Sequence, residues 1–300
     1  MKVLITGGTG LIGKQLQKML LDQQIEVVVL SRSKQKSTRE GLRFSVWDVD
    51  NEIIDVATVC NVDHIIHLAG ANIADKRWTD TQKKIIVESR VAGANLIYKT
   101  LENNPNTVKS FISASGSNYY GTKTTDNYYQ EIDAAGDDFL AQVCVVWEQA
   151  ALQFQNIGLR TVCIRTGVVF AGNHSALQKM SLPIKYGVGA PLGSGSQILP
   201  VIHLHDLCAL YVQAVLDSNY FGAYNAVADN KTNTEVTKEI AKQLSKPLWL
   251  PNVPAFVLKL MFGEMADLLL KGSAINPQKL NSQGFRFKYP TLTSILKDVL

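Results

Sequence analysis

The chain opens on an apolar run that leads straight into glycine. Residues 2–13 read KVLITGGTGLIG, a β-like stretch ending near Thr6, glycines at Gly7, Gly10 and Gly13, and then Leu11–Asp22 with apolar residues at helical spacing. Glycine adopts positive φ and lets a backbone approach a pyrophosphate closely. The first helical turn, Leu11, Ile12 and Gly13, then offers free N–H groups and the positive end of the helix dipole to phosphate. Gly13 would also let the helix pack closely on the sheet. The alternative is a purely structural turn; the strand before and the helix after favour a dinucleotide site. No Gly-Lys-Ser/Thr follows, which excludes a Walker-type phosphate loop.

The same alternation continues for about 170 residues. Apolar runs at Glu26–Arg32, Phe44–Val49, Val62–Gly70, Ser110–Ser115 and Arg160–Phe170 read as strands, and Thr79–Leu101 and Asp137–Phe154 as helices. Continuous apolar strands between helices imply a parallel sheet covered on both faces. The fold expected is α/β, a Rossmann-type doubly wound parallel sheet over residues 1–170. A smaller mixed, helix-rich region follows over 171–300, parts of which could pack back on the sheet.

With 46% hydrophobic and 19% charged residues, the chain can bury a sizeable core. A net charge of +4 suits an anionic small ligand but, without a clustered basic stripe and interleaved aromatics, argues against nucleic acid. The N-terminus lacks the pattern of a signal peptide, and no apolar run reaches the roughly 18 residues needed to span a bilayer. Cys60, Cys144, Cys163 and Cys208 form no C-x-x-C pair and read as buried small hydrophobes of a cytoplasmic protein. The sequence leaves the oligomeric state open.

The end of the second strand reads LSRSK and carries no acid. An NAD site usually ends this strand with Asp or Glu, which accepts from the ribose hydroxyls. Ser31 and Arg32 offer donors to a 2′-phosphate instead, and a guanidinium binds phosphate in bidentate fashion. NADP (NADPH) is therefore the coenzyme expected; the alternative is that Arg32 is a solvated loop cation.

TGGTGLIG, the LAG of Leu68–Gly70 and SASGSNYYG after the fifth strand resemble the extended short-chain dehydrogenase/reductase superfamily. More narrowly, HLAGANIADKRW, the ESR of Glu88–Arg90, GDDFLAQVCVVWE, RTGVVF, GAPLGSGSQ, VIHLHDL, YNAVA and GEMADLLL follow in order. Together they resemble, over essentially the whole chain, the epimerase-family proteins that end in a small helical domain. The resemblance implies that Gly7, Gly10 and Gly13 face the pyrophosphate and that Ser31 and Arg32 meet the adenosine 2′-phosphate. Leu68 and Ala69, with Gly70, would lie beside the adenine ribose and phosphates. Arg90 stands where many relatives keep an Asn and would point toward the coenzyme, and Val168 would lie near the nicotinamide.

Reduction in that superfamily uses a Tyr that passes a proton at the substrate oxygen. A Lys four residues on, on the same helical face, lowers the Tyr pKa, and a Ser polarises the carbonyl. Ser115, or Ser113 on the same face, supplies the serine. Counting about 25 residues on from Ser115 by that pattern reaches Leu140, with Cys144 four further; neither can act as the dyad. Tyr119 and Lys123 match the spacing but sit in a glycine-containing loop; the Tyr-Tyr-Gly shared with the family implies that Tyr119 and Tyr120 are pocket-lining phenols. Asp137 and Asp138 read as helix caps ahead of a general-acid role. Asp206 reads as a cap of Leu207–Leu216, and His203 and His205 as hydrogen-bonding residues, with no metal site. The function expected is an NADP-dependent oxidoreductase or epimerase with an atypical site built on Ser115 and Tyr120. Its substrate would be a small polar carbonyl or hydroxyl compound, for instance a nucleotide sugar. The alternative is a non-catalytic NADP sensor or scaffold.

Overall fold

The computed structural model describes residues 1–37, 39–125, 127–173 and 175–300. Among these the strands are β1 (Lys2–Thr6), β2 (Glu26–Ser31), β3 (Leu42–Val46), β4 (His64–His67), β5 (Ser110–Gly116), β6 (Tyr128–Tyr129), β7 (Arg160–Thr166), β8 (Val168–Phe170), β9 (Ile198–His203), β10 (Gly222–Ala226), β11 (Asp229–Thr232) and β12 (Ala274–Ile275). The helices are α1 (Leu11–Asp22), α2 (Val56–Cys60), α3 (Asp80–Glu102), α4 (Phe139–Leu152), α5 (Ala176–Lys185), α6 (Leu204–Leu216), α7 (Asn233–Gln243), α8 (Ala255–Phe262), α9 (Asp267–Leu270), α10 (Gln278–Ser282) and α11 (Leu292–Val299).

Seven strands form one parallel sheet in the order β3-β2-β1-β4-β5-β7-β10. Chain direction of travel across the sheet reverses between β1 and β4, which is where open α/β sheets present a ligand crevice. The strands are apolar throughout because both faces are covered. Val3, Ile5, Val27, Val29 and Ile112 pack with Leu16 and Leu20 of α1 and Leu207 and Tyr211 of α6. The alternating residues Leu4, Leu30, Ile65 and Phe111 pack with Ile97 and Leu101 of α3 and Ala150 and Ala151 of α4 on the other face.

The smaller part holds a sheet in the order β8-β9-β11, with β8 and β9 parallel and β11 antiparallel. Phe170, Leu177, Val201, Val236, Ile240, Leu292 and Ile295 form its core. Residues beyond 170 also return to the first layer, where α6 covers the sheet and β10 extends it beside β7.

Several expected bounds shift for local reasons. The Arg160–Phe170 run is two strands in two sheets, divided at Gly167, whose N–H bonds the Ala226 carbonyl. The third strand begins earlier and ends at Val46, because Asp48 pairs with Ile53 and its side chain accepts from Asn51. The helix expected from Asp137 starts at Phe139, since Asp138 is its cap and accepts from the Ala141 N–H. Helix α6 is capped by His203; the Asp206 carboxylate instead accepts the N–H groups of Lys288 and Tyr289, both at 2.9 Å.

Candidate active site

The parallel sheet brings the C-terminal ends of β1, β2, β4, β5 and β7 to one edge. With them come Gly7–Gly13, Ser31 and Arg32, Leu68–Gly70, Ser115, and Val168 just beyond β7. Gly7 has φ +68°, and a Cβ there would stand 2.8 Å from the Leu68 carbonyl carbon. A Cβ on Gly13 would stand 2.4 Å from Gly8 Cα. These two glycines therefore let the β1 turn close against β4 and onto itself. At Gly10 the nearest atom to a built Cβ is the Gly7 oxygen at 3.4 Å. The protein itself does not need glycine at this position, and the space lies at the start of α1. Gly10 is the N-cap of α1 and no side chain caps the helix. The N–H groups of its first turn are thus available to an anion.

Thr6 and His67 lock β1 to β4 beneath this turn. The N–H groups of Leu68 and Ala69 both donate to Thr6 Oγ1, each at 3.2 Å. The Thr6 hydroxyl proton then goes to His67 Nδ1 at 2.8 Å, which leaves His67 Nε2–H to donate to the Arg90 carbonyl at 3.1 Å. Burial lowers the His67 pKa to about 4, so the ring is neutral.

Ser31 is buried at the end of β2 and accepts from the Ser33 N–H, while Arg32 is exposed and makes no ion pair among the described residues. Lys14 and Gln17 of α1, Lys36 and Arg39 of the segment after β2, and Leu42 and Phe44 of β3 line a cavity of about 290 Å³. Lys14, Lys36 and Arg39 were not singled out from sequence. For Lys36 and Arg39 the signal is a run of cations after β2 that no acid interrupts until Glu40; Lys14, on α1, carries no such signal. Glycines at the turn, an uncapped helix start and free cations after β2 fit a dinucleotide coenzyme with an additional phosphate.

Arg90 lies on the buried stripe of α3, with Ile86, Gly93, Ala94 and Ile97. Its Nη1 donates to the carbonyls of Ile86 (2.8 Å) and Ala71 (3.1 Å), and the guanidinium stands 4.7 Å from the Trp147 ring centre. Its Nε has no hydrogen-bond partner among the described residues, and burial lowers its pKa. Arg90 thus holds the turn after β4.

Ser115 and Tyr120 meet through two residues that sequence reasoning passed over. Ser115 Oγ donates to Glu148 Oε1 at 2.7 Å. Arg165 grips the same carboxylate in bidentate fashion, Nε to Oε1 at 2.8 Å and Nη2 to Oε2 at 2.9 Å. Arg165 Nη1 donates to Tyr120 OH at 2.9 Å, and Tyr120 in turn donates to Asn225 Oδ1 at 2.8 Å. The Tyr119 ring lies 3.4 Å below the guanidinium. All five members of the hydrogen-bonded chain are buried. Burial pushes the Tyr120 phenol up to about 12. Burial alone would lower the Arg165 pKa, but the Glu148 carboxylate outweighs it and the net shift is upward.

The signal for this pair was present. Leu140, Cys144 and Glu148 follow one another at helical spacing, so the acid sits one turn past the two vacant dyad positions. Arg165 is a charge inside the apolar run TVCIRTGVVF. Burial pushes the Cys144 thiol up to about 12, which excludes a ready thiolate. Lys123 is paired with Asp137 at the surface, 2.8 Å away, and not with Tyr119. The four cysteines are free and buried. Among the described residues no cluster of His, Cys, Asp and Glu could hold a metal ion, and no helix is long and apolar enough to cross a membrane.

A glycine turn feeding an uncapped helix at the reversal point of a doubly wound sheet defines a dinucleotide-binding fold of the Rossmann type. The model of the NAD dependent epimerase/dehydratase family matches residues 3–226, and this chain belongs to that family. A model described as a domain of unknown function (DUF1731) matches residues 253–299. The chain is similar to the epimerase family protein SDR39U1 of Mus musculus, 32% identical over 304 residues that cover 100% of each. It is also similar to a crystal structure of human epimerase family protein SDR39U1 (isoform 2) with NADPH. That match is 31% identical, with a TM-score of 0.89, and covers 100% of this chain and 99% of the other. A UDP-glucose 4-epimerase of Thermus thermophilus in complex with NAD, 20% identical with a TM-score of 0.75 over 99% of this chain and 98% of that one, shares the fold. This chain is thus a NAD(P)-binding protein of the epimerase family.

Proposed function

We propose that the coenzyme is NADP and that the protein is an oxidoreductase or epimerase acting at a carbonyl or hydroxyl carbon. The observation that carries the coenzyme reading is the pairing of an open, uncapped α1 start with an Arg32 that has no ion-pair partner among the described residues and no acid next to it in sequence. The human relative crystallised with NADPH supports the same reading. Gly7, Gly10 and the first turn of α1 would hold the pyrophosphate, and Ser31 and Arg32, with Lys14, Lys36 and Arg39, the 2′-phosphate. When bound, NADP supplies a hydride donor or acceptor at the nicotinamide ring.

The chain's own part is proton handling. Because the Ser115 proton is committed to Glu148, Ser115 Oγ presents lone pairs and is set to accept from a substrate hydroxyl. Glu148 is the receiving group for the Ser115 proton, and Arg165 balances its charge. Tyr120 keeps its proton on Asn225 and steadies Arg165. The test is NADPH oxidation and NADP⁺ reduction over a screen of carbonyl and hydroxyl compounds, repeated with Ser115→Ala and Tyr120→Phe. General acid–base work is worth about 10²–10⁴ in rate, so Ser115→Ala should lower kcat by at least about a hundredfold. Full rates in both variants would remove these residues from the mechanism.

A second reading, a protein that binds NADP without turning it over, is favoured by one feature. Leu140 and Cys144 occupy the dyad positions, and both hydroxyl protons of the site are spent inside the protein. Tight NADPH binding with no turnover across the whole screen would select it.

A further inference from the structure

A cavity of about 350 Å³ lies between α5, α7 and the C-terminal helices, within the range of roughly 300–1,000 Å³ that small-molecule sites occupy. Met180, Ile184, Ile240, Leu258, Phe262 and Met265 are among its walls. Among the described residues its one lining cation is Lys179, which is exposed and directs Nζ to the Ala74 carbonyl at 3.5 Å. Its two polar uncharged side chains are already engaged. Asn233 Oδ1 accepts the Leu192 N–H at 2.7 Å, and the Thr237 hydroxyl donates to the Asn233 carbonyl at 2.8 Å. Ser115, Tyr120 and Val168 are not among its lining residues; two features relate it to the coenzyme edge of the sheet. Ala74, in its wall, follows the Leu68–Gly70 stretch after β4, and Met180 shares an apolar cluster with Val168. The segment after β4 is also fastened to the C-terminal helices. Arg77 donates to the carbonyls of Leu260 and Met261, and Lys83 pairs with Glu264.

We infer that this cavity receives the body of the substrate of the proposed oxidoreductase, and that the substrate is a carbonyl or hydroxyl compound with an apolar body of medium length, not a nucleotide sugar. This rests on the NADP reading. A nucleoside diphosphate brings two negative phosphates that need cations or several free donors, and burying them without such partners is costly. The walls offer one exposed lysine. They offer instead an aliphatic and thioether surface, on which each buried methylene strengthens binding by about 0.8 kcal/mol, roughly fourfold in affinity. Such a substrate departs from the small polar one expected from sequence.

The test uses the full chain with N-phenyl-1-naphthylamine as a fluorescent probe of the cavity. Competitors are 2-hexanone, 2-octanone, 2-decanone and UDP-glucose, and NADPH binding is measured in parallel by its own fluorescence. The ketones should displace the probe, with affinity rising up to about fourfold per methylene, and UDP-glucose should not. Val188→Glu and Met265→Glu, at partly exposed lining positions where a charge need not unfold the chain, should each weaken ketone binding at least tenfold while NADPH still binds. Displacement by UDP-glucose but not by ketones, or glutamate variants that bind ketones as the native chain does, overturns the inference and leaves the NADP reading standing. Loss of NADPH binding by the native chain overturns the NADP reading and the substrate assignment with it.

Discussion

Two buried charges organise the site. Glu148 and Arg165 lie on different elements, α4 and β7, and each is nearly inaccessible, so neither carries its charge there without the other. Removing one partner of a buried pair typically costs about 3–5 kcal/mol because the other charge is left uncompensated. Glu148→Gln should therefore lower unfolding free energy by that order in urea titration. The double variant Glu148→Gln/Arg165→Met should recover part of the loss, and a loss in the double equal to or above that of the single would contradict the pairing. Both residues were legible as anomalies, a charge on a buried helical stripe and a charge inside an apolar strand. Their partnership was not, because nothing local relates position 148 to 165. Ser115 and Tyr120 were named as a pair for reactivity; the structure links them through this ion pair, with both hydroxyl protons directed inward. The hydrogen-bond partners of a buried polar group depend on tertiary contacts, which spacing along the chain does not contain.

The β1–α1 turn separates glycines that serve packing from one that serves a ligand. Gly13→Ala places a methyl 2.4 Å from Gly8 Cα, so backbone must shift; overpacking of that kind costs about 1–3 kcal/mol. Gly10→Ala meets nothing closer than 3.4 Å and should change stability by no more than about 1 kcal/mol while weakening NADPH binding. Thermal unfolding and NADPH fluorescence on the two variants check this; equal destabilisation would contradict the assignment of Gly10 to the ligand. These elements were the most readable part of the chain, since strand, turn and helix are contiguous. The strand Arg160–Phe170 was read as one element because its apolar run is unbroken through Gly167. The split arises from pairing with β10 and β9, which lie 30 or more residues further on.

The sheet of the whole molecule is closed at one edge by β10, contributed from beyond the boundary expected at residue 170. Periodicity shows that a segment is a strand and not which neighbour it finds, so this return was outside what local pattern could establish. The apolar cavity is a whole-molecule feature for the same reason, with walls drawn from residue 74 to residue 269. Two buried histidines of β4 couple the fold to pH. Burial lowers both His64 and His67 to about 4, whereas each takes a proton near 6.5 when unfolded. Below pH 6.5 the unfolded chain therefore binds more protons, and the stability present above that pH is lost as pH falls from 6.5 toward 4. For His67, the more deeply buried, the loss is roughly 3 kcal/mol. Urea midpoints taken across that window should fall steeply, and a flat profile would contradict the neutral, buried rings. The coenzyme assignment is tested most directly by calorimetric titration of the native chain and of Arg32→Ala with NADPH and NADH. NADPH should bind the native chain at least about tenfold more tightly than NADH, and the variant should lose most of that preference. Equal affinity for the two coenzymes in the native chain, or a preference that survives the loss of Arg32, would contradict the account.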